Sequence, residues 1–281
     1  MTVDTSGPEE QAAVSRLVES ATTWLFVPGS RPDRYARALG SGADVVIVDL
    51  EDAVAPGDKG RARESAAGLL ASNPAVAVRV NGAGTPWHAG DLALVARYSC
   101  AVVLPKAESP DAVGDVVRAS RSKVVLPLVE SARGVVHATQ LAAVEGVRRL
   151  ILGNADLAQQ LGVAPDDRQA LLMSRSQLVA ASAYADLVAP VDGVTLELTD
   201  SSVCAGDARH GREMGFGGKL CIHPAQVAAV RDAYRPTEAE LTWARNVMAS
   251  AEAGAARVGD TMVDRPVVLR AEWLLRQERS L

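Results

Sequence analysis

Eight short runs of β-branched and aliphatic residues, separated by longer Ala-rich amphipathic stretches, dominate this chain and limit what it can fold into. The runs are WLFVPG at 24–29, VVIVDLED at 45–52, VAVRVN at 76–81, VVLPK at 102–106, VVLPLVES at 124–131, RLILGN at 149–154, DGVTLEL at 192–198 and KLCIHP at 219–224. Unbroken apolar runs of this length suit strands buried on both faces, as in a parallel sheet covered by helices. Strand followed by helix, repeated eight times, predicts right-handed crossovers and closure into an α/β fold, a (β/α)8 TIM barrel. The expected organisation is a polar N-terminal tail over 1–22, the barrel over 23–235 and a C-terminal helical extension over 236–281. That extension reads as two helical segments, 238–252 and 266–278, joined by a polar loop, and could serve as a lid, an oligomer contact or both.

Composition supports this reading and excludes others. Apolar residues make up 48% of the 281 and aromatics only 4%, so the core must be built from Val, Leu, Ile and Ala. A net charge of -5 gives no global basic field for nucleic acid or an anionic membrane surface, and an anionic ligand would have to meet local cations. No stretch reaches the roughly 18 consecutive apolar residues of a membrane span. The first twenty residues do not resemble a signal peptide, which makes the cytoplasm the expected location. Cys100, Cys204 and Cys221 form no CxxC pair and read as buried thiols; His88, His137, His210 and His223 have no metal-ligand spacing.

The stretch VVIVDLED raises the question of why a buried strand should end in acid. A barrel collects its active site at the C-terminal ends of its strands. Those ends carry, in order, Arg31, then Glu51 and Asp52, Arg79 and Asn81, Lys106, Glu130, and Asn154 with Asp156. Closure would gather the acids Glu51, Asp52, Glu130 and Asp156 at one mouth beside Arg31, Arg79 and Lys106. Acids without histidine suit a hard cation, best Mg2+, which takes one or two carboxylates and keeps its other positions for water or substrate oxygens. Arg79 offers a planar fork for a carboxylate. The alternative for these residues is internal ion pairing, such as Glu51 with Arg79. Lys106 could be read as a Schiff-base nucleophile, but the acids beside it would raise its pKa and blunt it. GFGGK at 215–219 lacks the Ser or Thr and the following helix of a phosphate loop, and reads as the turn into the eighth strand.

The motifs VPGSRPDRYARAL, VDLEDAV, RVNGAGTPW, VLPKAES, PLVESARG, LGNADLAQQLG, DGV and GFGGKLCIHPAQ, in that order, resemble those of the HpcH/HpaI aldolase and citrate lyase β-subunit family, in its CitE-like branch. The resemblance implies a Mg2+-dependent carbon-carbon lyase cleaving a 3-hydroxyacyl-CoA of the malyl-, citramalyl- or citryl-CoA type into an acyl-CoA and a keto acid. It also implies Glu130 and Asp156 as metal ligands, Arg79 on the substrate carboxylate, and Arg31 and Arg37 at the CoA phosphates with Lys106 nearby. Asp264 in MVDRP would be the acid/base delivered by a C-terminal lid from a neighbouring subunit, in a homotrimer or hexamer, with Glu51 and Asp52 supporting the metal waters or Arg79. The alternatives are a subunit acting on a carrier-bound acyl group, or a thioesterase or synthase using the same metal. One departure is Tyr184-Ala185-Asp186, where relatives usually have Ala-Ala-Gly, which puts the shape of that loop in question.

Overall fold

The computed structural model describes residues 6–73, 75–252, 257–258 and 261–279. Eight parallel strands close into a barrel in chain order: β1 Thr23–Pro28, β2 Val45–Asp49, β3 Val76–Arg79, β4 Ala101–Leu104, β5 Val125–Val129, β6 Ile151–Leu152, β7 Val191–Asp192 and β8 Gly218–Cys221. Helices occupy the connections, as the alternation of apolar runs and amphipathic stretches predicts. The interior is aliphatic: Val45, Ile47, Ala77, Val103, Leu126, Leu128, Ile151 and Leu220 pack together around Trp24. Arg149 places its guanidinium 5.9 Å from the Trp24 ring at the start of β1, whereas the charged residues that form the mouth sit at or just past the strand ends.

The segment expected as a polar tail contains a helix, Ser6–Ser20. Its Val14 and Val18 are buried against Trp24 and the residues that begin the strands, and it covers the barrel at the end opposite the mouth. Arg149 secures it, its Nη1 donating to the carbonyls of Val18 and Ala21. Two apolar residues four apart in a polar sequence give little signal, and only the barrel floor makes them a packing face.

β7 is two residues long, where 192–198 reads as a full strand. The reason lies in side chains that take over the ladder. Asn154 Oδ1 accepts from the Val194 amide at 2.8 Å, Asn154 Nδ2 donates to the Val194 carbonyl at 3.1 Å, and Lys219 Nζ donates to the Gly193 carbonyl at 2.6 Å. The backbone thus leaves the sheet with its polar groups satisfied. At the departure noted above, Asp186 holds the left-handed conformation (φ 53°) just past the helix Leu172–Tyr184, the position where glycine usually ends a helix; an Asp tolerates it better than most residues.

The chain divides into two compact units, Met1–Ala233 and Tyr234–Leu281. Within the second, the helices Glu238–Glu252 and Arg265–Arg279 pack through Ala244, Val247, Ala271 and Leu274, and two short strands, Arg257–Val258 and Thr261–Met262, pair antiparallel. No helix among the described residues is long and apolar enough to cross a membrane.

Candidate active site at the barrel mouth

The mouth is organised first by register. Asp49 ends β2, Arg79 ends β3, and the two are direct partners across the strands. Arg79 Nε donates to Asp49 Oδ1 at 2.8 Å and Nη2 to Oδ2 at 2.6 Å. Asp49 also accepts from the amides of Glu51 and Ala53, which bends the chain after β2 and turns Glu51 over the mouth. One edge of the Arg79 fork is therefore occupied. Nη1 remains, 3.2 Å from Glu51 Oε2 and 4.0 Å from Asp52, with the Phe26 ring stacked 4.9 Å from the guanidinium. Burial opposes the Arg79 charge, but the bonds to Asp49 and the charges of Glu51 and Glu130 outweigh it and hold its pKa above the usual arginine value.

Beneath this pair runs a second polar network. Lys59 is buried and its Nζ donates to the carbonyls of Leu50 and Glu51, each at 2.7 Å, and to Asn81 Oδ1 at 2.6 Å. Asn81 in turn donates to Leu50 and to the buried Asp91, which Arg63 neutralises at 3.1 Å. The loops after β2 and β3 are thereby tied together from below.

On the far side of the mouth, Glu130 follows β5 and Asp156 lies in the first turn of the helix after β6, Asn154–Leu161. Lys106, after β4, takes a left-handed conformation (φ 50°) that aims its amide at Glu130 Oε1, 2.7 Å away, while its Nζ reaches Glu51 Oε1 at 3.0 Å. Lys106 is the strained residue here, and strain of this kind collects at functional sites. Gly153 is needed because a Cβ there would lie 2.4 Å from the Glu130 Cβ. Burial, with the charges of Glu51 and Asp156 added, pushes the Glu130 carboxyl up to about 8. Burial also raises Glu51, against the pull of Arg79. Glu130, Asp156, Asp52 and Arg79 line one cavity of about 140 Å3.

A metal fits this donor set. Among the described residues no three His, Cys, Asp or Glu side chains form a cage, but two carboxylates suffice for an ion that retains water and substrate ligands. Glu51 Oε2 is buried and meets only the Arg79 Nη1 charge at 3.2 Å, with no well-aligned hydrogen bond, which leaves it capacity to accept from a metal-bound water.

Beside this cavity, a groove of about 280 Å3 runs between β1 and β8, lined by Phe26, Pro28, Arg34, Arg37, Ile222 and His223. Phe26 borders both spaces. Of the two arginines named for phosphates, Arg37 lines the groove, whereas Arg31 is turned to Asp33 at 2.7 Å. Arg34 lines it too and went unnoticed in sequence, where it sits in a run of similar exposed arginines. Asp264 is exposed and caps the last helix, accepting from the Val267 amide at 3.2 Å. Asp49, one of the three acids ending VVIVDLED, and Lys59 were not among the site candidates. Asp49 had a signal, as an acid that ends a strand neighbouring RVN; Lys59 had none, because KGRARES reads as a solvated helix face.

A family model described as HpcH/HpaI aldolase/citrate lyase matches residues 22–224, the whole barrel and its mouth. The chain belongs to this family. Within it, the chain is 39% identical over 264 residues to a citrate lyase subunit beta-like protein of Mycobacterium tuberculosis, covering 90% of this chain and 94% of that one. It is 33% identical over 254 residues to a (3S)-malyl-CoA thioesterase of Cereibacter sphaeroides, covering 87% and 88%. Among solved structures, CitE from Mycobacterium tuberculosis in complex with magnesium, acetoacetate and coenzyme A superposes with a TM-score of 0.83 at 35% identity, over 92% of this chain and 98% of that one.

Proposed function

We propose that this protein is a Mg2+-dependent carbon-carbon lyase that cleaves a 3-hydroxyacyl-CoA into a shorter acyl-CoA and a keto acid. The observation that carries this reading is the pair Glu130 and Asp156: two carboxylates share a small cavity that Arg79 also lines, one of them buried with its pKa pushed up to about 8. Glu130 and Asp156 would hold the ion, which when bound would supply Lewis acidity to the substrate oxygens it meets. CitE of Mycobacterium tuberculosis with magnesium and coenzyme A supports both ligands.

The chain's own groups then divide the work. Arg79 Nη1 faces a substrate carboxylate while Asp49 keeps the guanidinium from turning. Arg34, Arg37 and exposed Lys106 are the cations for the CoA phosphates, with the acyl arm passing Phe26 into the mouth. A base removes the hydroxyl proton, the C–O bond becomes the keto carbonyl, and the C–C bond breaks with its electron pair passing to the thioester enolate. An acid then returns a proton to that carbon. Asp264 from the C-terminal unit of a neighbouring subunit is our candidate for these transfers, in a trimer or a multiple of it.

Mg2+-dependent release of keto acid from malyl-, citramalyl- and citryl-CoA tests the reading. Release that vanishes on EDTA treatment, in Glu130→Ala and in Asp264→Asn supports it. A thioesterase, the reading favoured by the Cereibacter sphaeroides relative, would instead liberate free CoA. Failure with all three thioesters while Mg2+ binds would move the substrate to a carrier-bound acyl group.

A further inference from the structure

A second cavity, of about 360 Å3, lies on the β6–β8 side of the mouth, within the size range of small-molecule sites. Asn154 is the wall between it and the Glu130 cavity. Its amide nitrogen donates to the carbonyls of Pro165 and Val194, each at 3.1 Å, and Asn154 and Val194 border both spaces. A Cβ at position 193 would fall 2.0 Å from Asn154 Oδ1, so only glycine lets this wall close.

The inner end of the cavity is unbalanced in charge. Arg175, Asp192 and Lys219 are buried together, with side-chain exposures of 7%, 1% and 1%. Arg175 Nε donates to Asp192 Oδ1 at 3.2 Å, and Lys219 Nζ stands 3.7 Å from Asp192 Oδ2. Two cations thus share one carboxylate, and an uncompensated buried charge is costly. Arg175 lines the cavity, and its Nη1 is buried with no hydrogen-bond partner. His210 lines it as well, and its Nε2 is likewise buried and unpartnered. At the outer end the lining residues Asp166 and Glu197 are exposed acids that would repel a second negative charge.

We propose that this cavity is a binding site for a small monocarboxylate, its carboxylate held by the Arg175 guanidinium and its uncharged end directed toward the rim. One negative charge completes the buried triad; a neutral ligand would leave it unbalanced, and a dianion would meet Asp166 and Glu197. The wall residue Asn154 starts the helix that bears Asp156, so occupancy of the cavity bears directly on the wall of the mouth. The inference does not depend on the lyase reading and can stand or fall separately.

Calorimetric titration of the full chain, in metal-free buffer, with butyrate and its uncharged isostere butyramide tests it. The expected result is one butyrate per chain, no comparable butyramide binding, and undiminished binding in Arg79→Gln, which disables the mouth. Val203→Trp fills the cavity from a lining position 42% exposed and should abolish binding. Arg175→Lys keeps the buried charge without the fork and should weaken binding by about tenfold or more. Thermal melts of all three variants establish that they are folded. Absence of butyrate binding to the wild type, equal binding of butyramide, binding that survives Val203→Trp, or its loss in Arg79→Gln would each overturn the proposal.

Discussion

The two sides of the barrel mouth treat charge in opposite ways. At the ends of β2 and β3, Asp49, Lys59, Asn81 and Asp91 are buried beside the largely covered Arg79, and almost every polar atom has a partner, with Asp49 alone accepting four hydrogen bonds. At the ends of β5 and β6, Glu130 and Asp156 line one cavity with no ion pair to either among the described residues, and Glu130 sits far above the ordinary carboxylate range. The first arrangement is finished on folding. On the proposed reading the second would be completed by a bound ion, a contrast that sets a candidate site apart from a structural network of similar composition. Arg79 belongs to both, with one edge of its guanidinium fixed by Asp49 and its Nη1 end meeting only the charge of Glu51 at 3.2 Å.

Breaking the finished side should have the largest effect on stability. Asp49→Ala leaves Arg79 buried with one edge unpaired, and we expect a loss of about 3–5 kcal/mol in urea unfolding. A loss under about 1 kcal/mol, as for an exposed pair, would mean that this network does not hold the mouth together.

Glu130→Gln should do the reverse. It should cost at least about a hundredfold in Mg2+ affinity, the upper range for outer partners of a metal. The metal-free protein should nonetheless gain about 1–3 kcal/mol at alkaline pH, because a buried carboxylate lacking a cation is replaced by a neutral amide. Parallel titrations and melts read both; a variant less stable than wild type in EDTA would remove the contrast between the two sides.

The same group predicts a pH dependence. Folded, metal-free Glu130 keeps its proton until about pH 8, whereas the unfolded chain releases it near the ordinary glutamate value of about 4.3. Between these values the folded state binds more protons, so its stability falls as pH rises, by at most about 1.4 kcal/mol per pH unit from this residue. Urea midpoints in EDTA should fall more steeply in wild type than in Glu130→Gln across this window. Identical profiles would show that Glu130 is not the group responsible.

Lys106 spans the two sides, and its substitution should have the smallest effect on stability. Lys106→Gly removes an exposed lysine's pair with the buried Glu51 but relieves a left-handed conformation that costs about 1–2 kcal/mol in other residues. Unfolding should change by less than about 1 kcal/mol. The KM for the CoA thioester should rise with kcat little changed, and a collapse of kcat would assign Lys106 to the chemistry.

Much of the architecture was legible beforehand. The barrel follows from eight aliphatic runs separated by amphipathic helices, and the charged residues at 31, 51–52, 79, 106, 130 and 156 follow from reading where each run stops. The helix Ser6–Ser20 was hidden because Val14 and Val18 become a face only against the barrel floor. The brevity of β7 was hidden because side chains from Asn154 and Lys219, forty and twenty-six residues away, replace its ladder. Lys59 resembles any helix-surface lysine until the loops of two strands fold over it.

By itself, then, the sequence pointed to a barrel, because strand and helix periodicity is local, and its ordered motifs pointed to the family. Which of the charges at the strand ends would be satisfied was decided only by the tertiary structure. Asp49 and Arg79 are thirty residues apart and meet through the register of β2 on β3, while Glu130 and Asp156 are brought to one cavity by β5 and β6 with no ion pair to either among the described residues. Electrostatic compensation depends on distance and burial, and neither is a property of position in the chain.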